Sequence, residues 1–153
     1  MPRLSDVVAP QRTLLESLEC PEFVQTAFNP PRPLKECKVA LISSAGLMSR
    51  HDENVHGTSA DYRSFPKSVT DRDLLVNHLS VNFDRTGFAA DANTLFPRER
   101  LQQLEADGLI GKAATEHYSF MGATPPEQME NSVNKLVTHL KENKVNTVCL
   151  LPV

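Results

Sequence analysis

Two short aliphatic runs restrict the folds open to this chain more than any other feature. They are CKVALISS at residues 37–44 and VNTVCLLPV at residues 145–153, and both are dense in β-branched and aliphatic side chains. Runs of this kind form strands that are buried on both faces, as in parallel sheets. A helix pattern directly precedes the second run, and strands that alternate with helices indicate an α/β fold. We therefore predict a mostly parallel sheet flanked by helices.

The helix pattern lies in TPPEQMENSVNKLVTHLKENK, residues 124–144. Thr124 is expected to cap the helix, with Pro125 at the first helical position and Glu127 completing a capping box. One face carries apolar residues at helical spacing: Met129, Val133, Leu136, Val137 and Leu140.

Four further elements are predicted from apolar spacing and turn residues. They are a short helix within residues 8–20, a strand from residue 73 to near His78, a helix over residues 96–108 and a short strand over residues 109–114. In the 96–108 helix, Leu101 and Leu104 are expected to face inward, and Gly108 is expected to end the helix.

The proline-rich segment FNPPRP at residues 28–33 divides the chain, because prolines fix the backbone and remove hydrogen-bond donors. We predict that residues 1–36 form an N-terminal helix and lead-in, and that residues 37–153 form a single α/β domain. This domain is expected to be incomplete at its C-terminus, since the strand at residues 145–153 needs a following element to cover it.

Charge and composition narrow the class of protein. The 153 residues include 16 basic and 19 acidic side chains, a formal charge of −3, and no basic block, so neither nucleic acid nor a membrane surface is an expected partner. No apolar run approaches the roughly 18 residues of a membrane span, and the first 20 residues lack the apolar centre of a secretory signal. Three scattered cysteines do not form a disulfide framework. We expect a cytoplasmic protein.

In open parallel sheets, ligands bind beyond the carboxyl ends of the strands. Three groups of residues capable of chemistry are expected at this edge, within residues 43–56, 78–84 and 117–122, and the position after Val153 is the fourth. The sequence contains no glycine-rich nucleotide loop and no serine-hydrolase motif. A nucleotide enzyme and a serine hydrolase are therefore disfavoured.

Two of these groups contain histidines with neighbouring acids. His51 and His56 suggest a metal site, but their HxxxxH spacing matches no strong template, and we favour a polar or substrate-binding loop. His78 and Asp84 fit a general acid–base pair, or a histidine at the edge of the core that the backbone satisfies.

The segment HYSFMG is expected to form a turn that ends at Gly122, with Phe120 and Met121 in the core. His117 and Tyr118 are candidate hydrogen-bond donors to an anionic substrate, but their residue types alone do not favour this role over a structural one. Asp91 and Asn93 precede the predicted 96–108 helix, and capping or turn formation is their favoured role.

Three ordered segments resemble the selenoprotein B family of glycine, sarcosine, betaine and D-proline reductases: KVALISSAGLMSRHD, DYRSFP and DLLVNHLSVNFDRTGFAADANTLFPRERLQQLEADGLIGKAATEHYSFMG. The resemblance runs from about Lys38 to Val153. It implies that a chain of this type continues after VCLLPV with a selenocysteine or cysteine, a short turn and another helix. Selenocysteine is encoded by UGA, ordinarily a stop codon, so we expect that Val153 is not a natural terminus. The dipole of a following helix would lower the pKa of the chalcogen.

The resemblance implies reductive cleavage of a C–N or similar bond in a small amine or amino-acid substrate. It also implies partner reductase subunits, one of them with a pyruvoyl group, and a dithiol or thioredoxin-type electron donor. It carries His78, His117 and Asp84 over as catalytic residues, with either histidine protonating the leaving nitrogen. The candidate substrate-binding residues are Arg50, His51, Asp52, Tyr118, Ser119, Asp91 and Asn93. We assign no metal and no cofactor to this chain itself.

Two other functions stay open. One is a non-catalytic binding module that keeps the pocket and lacks the nucleophile. The other is a metal-dependent enzyme that uses histidines from this set: His51, His56, His78 and His117. The uncovered run VCLLPV also predicts that the 153-residue form aggregates or forms a homo-oligomer.

Overall fold

The computed structural model describes residues 3–18, 29–30, 32–52, 59–80 and 83–153. The chain divides into two compact units, Met1–Pro31 and Arg32–Val153. The first unit contains a 3₁₀ turn at Leu4–Asp6 and helix α1, Ala9–Glu16, which lies inside the helix predicted for residues 8–20.

The described residues of the second unit form a five-stranded sheet, a two-stranded sheet and three helices. The strands are β1 Lys38–Ser43, β2 Leu47–Ser49, β3 Arg63–Pro66, β4 Leu74–Val76, β5 Lys112–Ala113, β6 Glu116–Ser119 and β7 Thr147–Leu151. The helices are α2 Thr86–Ala90, α3 Arg98–Ala106 and α4 Pro126–Glu142. Short 3₁₀ turns occur at Leu34–Glu36, Asp71–Asp73 and Ala92–Thr94.

Strand β1 lies at the centre of the larger sheet. It pairs in parallel with β5 and β6 on one edge and with β7 on the other. Strand β3 adds antiparallel to the far side of β6. The prediction of an α/β fold with a mostly parallel sheet flanked by helices is confirmed. Within the described residues, no helix is long and apolar enough to cross a membrane.

Alternate side chains of β1 pack into two cores on opposite faces of the sheet. Val39 and Leu41 lie in one core, which includes Leu101 of α3. Ala40 lies in the other, which includes Leu136 of α4. Burial on both faces explains why β1 reads as a continuous apolar run rather than an alternating one.

Two strand predictions were wrong in their placement. The strand predicted to end near His78 forms as β4, but it pairs antiparallel with β2 and lies outside the parallel sheet. His117 and Tyr118 lie within β6 rather than on a turn beyond a strand, and the predicted 109–114 strand is limited to β5. The side chains of His117 and Tyr118 are buried on opposite faces of the sheet. Tertiary packing therefore stabilises a strand here, although the local sequence pattern suggested a turn.

Helix α4 forms as predicted, but without the predicted cap. It begins at Pro126, no side-chain cap hydrogen bond is present, and the Thr124 hydroxyl instead lies 3.5 Å from the Ser59 carbonyl oxygen. Two consecutive prolines remove backbone donors from the helix start, so fewer groups there need a cap. In α3, Leu101 is buried as predicted, but Leu104 is 39% exposed.

Candidate active site

The carboxyl ends of β1 and β7 meet at one edge of the sheet. Ser44 follows β1, and its hydroxyl oxygen accepts a hydrogen bond from the backbone N–H of Val153, which follows β7, at 2.8 Å. The loop after β6 joins them, because the Gly122 N–H donates to the Ser44 carbonyl at 2.9 Å. The chain leaves β1 toward β5 and β6 and later returns across it to β7. The strand order therefore reverses between β1 and β7. The crevice beyond the carboxyl ends of these two strands is where this type of sheet binds ligands.

A cleft of about 280 Å³ opens at this edge. It is lined by His78, Ser80, Phe83, Asp84 and Val153. Although β4 lies outside the parallel sheet, its carboxyl end reaches the cleft because the Asn77 N–H donates to the Gly46 carbonyl at 3.0 Å. His78 and Asp84, which the sequence predicted as catalytic residues, thus lie beside the last residue of the chain.

Gly46 allows these loops to approach each other. Its φ of +62° lies in the left-handed region, and a Cβ there would lie 2.8 Å from the Met121 methyl carbon and 3.4 Å from the His78 Cα. Glycine adopts this conformation without steric cost and leaves room for both neighbours.

The His78 ring is held in one protonation form by its contacts. Its Nδ1 lies 3.1 Å from the backbone nitrogen of Ser80, and its ring stacks on Phe83 with centroids 4.5 Å apart. A backbone N–H can only donate, so Nδ1 is the acceptor and the neutral ring carries its proton on Nε2. Nε2 is buried, and no described residue lies within hydrogen-bond distance of it. An unsatisfied buried donor costs free energy until an acceptor reaches it.

Arg85 fixes the loop that carries His78. Its guanidinium donates to the His78 carbonyl at 2.6 Å and to the Phe83 carbonyl at 3.2 Å. Burial and then the positive charge of Arg85 lower the pKa of His78, since both disfavour the imidazolium. The ring is therefore neutral at neutral pH.

Asp84 supplies a negative charge to the lining of the cleft. One carboxylate oxygen accepts hydrogen bonds from the Thr86 hydroxyl at 2.7 Å and the Thr86 N–H at 2.8 Å. These two hydrogen bonds lower the pKa of Asp84, because they favour the carboxylate over the acid. Asp84 is therefore ionised at neutral pH.

His117 lies in the core and not at the cleft. It is fully buried, its Nδ1 accepts from the Leu41 N–H at 3.2 Å, and its ring packs edge-on against Phe96. Its Nε2 has no hydrogen-bond partner among the described residues. Burial lowers the pKa of His117 to about 4, so the ring is neutral at neutral pH.

Tyr118 and Ser119 also make internal contacts. Tyr118 packs into the core beneath α4, its hydroxyl lies 3.4 Å from a Glu116 carboxylate oxygen, and burial raises its pKa. The Ser119 hydroxyl oxygen accepts from the Leu47 N–H at 3.0 Å. Neither side chain lines the cleft that contains His78.

Arg50, His51 and Asp52 lie at the opposite end of the two-stranded sheet. The Arg50 N–H donates to the Asp73 carbonyl at 2.8 Å, and the exposed His51 ring lies 3.7 Å from the Asp73 carboxylate. Asp52 accepts a hydrogen bond from the Ser49 N–H at 2.8 Å. Strand β4 separates this corner from His78, so the structure does not bring the two groups together. His56 lies outside the described residues.

Asp91 and Asn93 shape a turn. The Asp91 carboxylate accepts from the backbone and side-chain nitrogens of Asn93, both at 2.9 Å, and caps the 3₁₀ turn Ala92–Thr94. The Asn93 side-chain oxygen accepts from the Glu99 N–H at 3.2 Å. The capping role that the sequence favoured is the one that the structure shows. Within the described residues, no three His, Cys, Asp or Glu side chains are grouped to hold a metal ion.

Sequence reasoning missed Ser44, Phe83 and Arg85. Arg85 and Phe83 stand within a few residues of His78, so proximity along the chain was an available signal. Ser44 gave no such signal, because its partner Val153 lies 109 positions away.

Comparison with known proteins agrees with the resemblance seen in the sequence. The model of the glycine/sarcosine/betaine reductase selenoprotein B family matches residues 12–152. The chain belongs to this family. The selenoprotein B match begins well before Lys38, so the N-terminal region carries more of the family pattern than the sequence motifs indicated.

Two curated relatives are similar to this selenoprotein B family member. D-proline reductase subunit gamma of Acetoanaerobium sticklandii is 28% identical over 123 residues, which cover 78% of this chain and 50% of the relative. Glycine reductase complex component B subunit gamma of Symbiobacterium thermophilum is 26% identical over 136 residues, which cover 85% of this chain and 32% of the relative. The matched region is thus half of one relative and about a third of the other. No solved structure matches the chain.

Proposed function

We propose that this chain is a subunit, or part of a subunit, of a selenol- or thiol-dependent reductase that cleaves a C–N bond in a small amino-acid-like substrate. The observation that supports the proposal is the cleft at the carboxyl edge, where Val153 lies with His78 and Asp84. A residue that followed Val153 would start from this cleft. The family and its two relatives, which are named as reductase subunits, favour the same chemistry.

The reaction needs a chalcogen that follows Val153. As a selenolate or thiolate it would attack the carbon and displace the nitrogen, and a dithiol donor would then release the reduced product as it becomes a disulfide. Ser44 has the supporting role of holding the backbone of Val153 at 2.8 Å, which fixes where the next residue begins. No residue of this chain is assigned to a pyruvoyl group, which we place on a partner subunit.

His78 and Asp84 complement the two charges of an amino acid. The ionised Asp84 carboxylate suits a substrate ammonium group. The Nε2–H of neutral His78 suits a substrate carboxylate oxygen, which would satisfy the buried donor. Proton transfer from His78 to the leaving nitrogen requires the imidazolium, which burial and Arg85 disfavour. We therefore assign His78 a hydrogen-bonding role, and we do not carry the buried His117 into the site.

The coding DNA beyond Val153 gives the first test. An in-frame UGA followed by an open frame supports the reductase. A UAA or UAG stop contradicts it and favours a non-catalytic binding module. Such a chain would keep the pocket residues His78 and Asp84 but would lack the nucleophile.

Activity gives the second test. The chain is extended along that frame with cysteine at the UGA position and purified with its partner subunits. It is then assayed for dithiol-dependent C–N cleavage, which is release of ammonia or amine from glycine, sarcosine and betaine and release of the ring-opened amino acid from D-proline. We expect release from at least one substrate and its loss in Asp84→Asn. Asp107→Asn, at the exposed end of α3, is the matched control and should keep the activity. No release from any of the four overturns the proposal.

A further inference from the structure

The Asp84 carboxylate has one occupied oxygen and one free oxygen. Its Oδ1 accepts both hydrogen bonds from Thr86, from the hydroxyl at 2.7 Å and from the N–H at 2.8 Å. Its Oδ2 has no hydrogen-bond partner among the described residues, although Asp84 lines the cleft. Because both Thr86 contacts hold the same oxygen, the carboxylate is fixed in orientation and Oδ2 is left to accept from a ligand.

The charge of Asp84 has no counter-ion in the part of the chain that the structure describes. The two hydrogen bonds from Thr86 lower the pKa of Asp84, and no basic side chain contributes to this shift. The guanidinium of Arg85, the next residue, donates instead to the His78 and Phe83 carbonyls. An ionised carboxylate without a resident cation favours a positively charged group on the ligand.

A cation that lacks N–H groups has no comparable partner in this cleft. Quaternary ammonium groups are bound over the faces of aromatic rings, which form a cage around them. Among the described residues that line the cleft, Phe83 is the only Phe, Tyr or Trp. Its ring already stacks on His78, with centroids 4.5 Å apart, and the Arg85 Cζ lies 5.5 Å from its centroid. One ring with these two contacts does not form a cage.

We infer that the site binds amines that carry at least one N–H on the charged nitrogen and discriminates against quaternary ammonium compounds. This inference rests on the proposed function, because it takes Asp84 as the residue that receives the substrate nitrogen. A charge-assisted N–H···O hydrogen bond brings nitrogen and oxygen to about 2.7–2.9 Å. A methyl group in place of the hydrogen places its carbon about 3.3–3.6 Å from Oδ2, so the two charges lie farther apart. None of these contacts involves Val153.

The presence of one N–H should matter more than the number of N–H groups. Rotation about the C–N bond directs a single N–H toward Oδ2 in one of three staggered orientations, so N,N-dimethylglycine should bind at most about threefold more weakly than glycine. Betaine has no N–H and loses a hydrogen bond to a charged group. Its affinity should therefore be lower by about tenfold or more.

The N-methylated glycines test this inference directly. Glycine, sarcosine, N,N-dimethylglycine and betaine are titrated separately into the 153-residue chain, and the ¹⁵N signals of the His78 ring report binding. We expect dissociation constants within about threefold for the first three, and a loss of affinity of about tenfold or more between dimethylglycine and betaine. An even loss with each methyl group would show that the size of the cleft sets the preference. That result overturns the inference, as does equal binding of all four compounds or binding of none.

The variant Asp84→Asn identifies the group responsible. The substituted amide keeps its oxygen for Thr86 and presents an NH₂ group, which only donates, in place of Oδ2. We expect glycine and dimethylglycine to bind this variant as weakly as betaine does, so the difference between dimethylglycine and betaine disappears. Asp107→Asn, at the exposed end of α3, is the matched control and should keep the difference. A difference that survives in Asp84→Asn overturns the inference.

Activity separates the failure of this inference from the failure of the proposed function. In the extended chain with its partner subunits, kcat/KM for sarcosine should exceed that for betaine by about tenfold or more. Cleavage of betaine as efficient as that of sarcosine overturns the inference and supports the reductase. Cleavage of no substrate overturns the reductase, whereas the binding series still decides whether the site recognises N–H groups.

Discussion

The backbone nitrogen of Val153 lies 2.8 Å from the hydroxyl oxygen of Ser44, a residue 109 positions earlier in the chain. This contact joins the ends of β1 and β7 at the edge where the cleft opens. A second hydrogen bond, from the Ser44 N–H to the Leu151 carbonyl at 3.1 Å, also fixes the carboxyl end of β7. The candidate site thus depends on Ser44, although this serine belongs to no catalytic motif that would single it out in the sequence.

Replacing Ser44 with alanine should loosen the end of β7. The variant loses the acceptor for the Val153 N–H, so we expect the free energy of unfolding to fall by about 1 kcal/mol. Amide exchange at Val153 should also become faster. Ser64→Ala, at an exposed position of β3, is the matched control and should change neither quantity. Equal exchange rates at Val153 in the two variants would contradict the role of Ser44.

Glycine substitutions separate steric contact from backbone strain. Gly46→Ala and Gly108→Ala both place a side chain at positive φ, +62° and +67°, and each should cost about 1–2 kcal/mol for that reason. Only Gly46→Ala also brings a Cβ to 2.8 Å from Met121, whereas nothing lies within 4 Å at Gly108. Gly46→Ala should therefore lower the melting temperature more than Gly108→Ala. Equal losses in thermal denaturation would mean that the flexible end of the Met121 side chain moves aside at little cost.

The buried His117 should make the protein sensitive to acid. Its pKa is lowered to about 4 in the folded state, so below its unfolded value near 6.5 the unfolded chain binds the proton more readily. The contribution of His117 to the free energy of unfolding is therefore fully present above pH 6.5. As the pH falls toward 4, roughly 3 kcal/mol of this free energy is lost. His78 acts in the same direction, because its pKa is also lowered.

Denaturant titrations between pH 7 and pH 4 measure this effect. His117→Gln should flatten the dependence on pH, even though it reduces stability at pH 7. Asn134→Gln, at an exposed position of α4 without a titratable group, should leave the slope unchanged. A slope in His117→Gln as steep as in the wild type would show that other groups cause the acid sensitivity.

The sequence predicted β1, β7 and α4 because their patterns are determined locally. Residues 39–42 form the continuous apolar run of a strand that is buried on both faces, and α4 has its apolar residues at helical spacing. β4 was expected as a strand, but its antiparallel pairing was missed because its partner β2 has only three residues, which is too short for a pattern to be recognised. His117 was misplaced because its neighbours Phe65 and Phe96 come from distant parts of the chain.

The candidate site was predictable only in part, for a related reason. His78 and Asp84 lie close in sequence and follow a strand, so their shared location was expected. The tautomer of His78 and the hydrogen bond between Val153 and Ser44 depend on three-dimensional contacts, which the spacing of residues along the chain does not reveal.

Arg85 should contribute to the low pKa of His78, after the larger effect of burial. Its positive charge opposes protonation of the ring, so Arg85→Met should raise the pKa of His78 toward the ordinary value of about 6.5. Histidine ring nitrogens observed by ¹⁵N NMR across pH 4–9 measure both this pKa and the tautomer. In the wild type at pH 8, we expect the proton on Nε2, because Nδ1 accepts from the Ser80 N–H at 3.1 Å. Arg100→Met, on the exposed face of α3, is the matched control and should leave the pKa of His78 unchanged. A proton found on Nδ1 would remove the basis for treating Nε2 of His78 as a neutral donor to the substrate, and an unchanged pKa in Arg85→Met would show that burial alone lowers the pKa of His78.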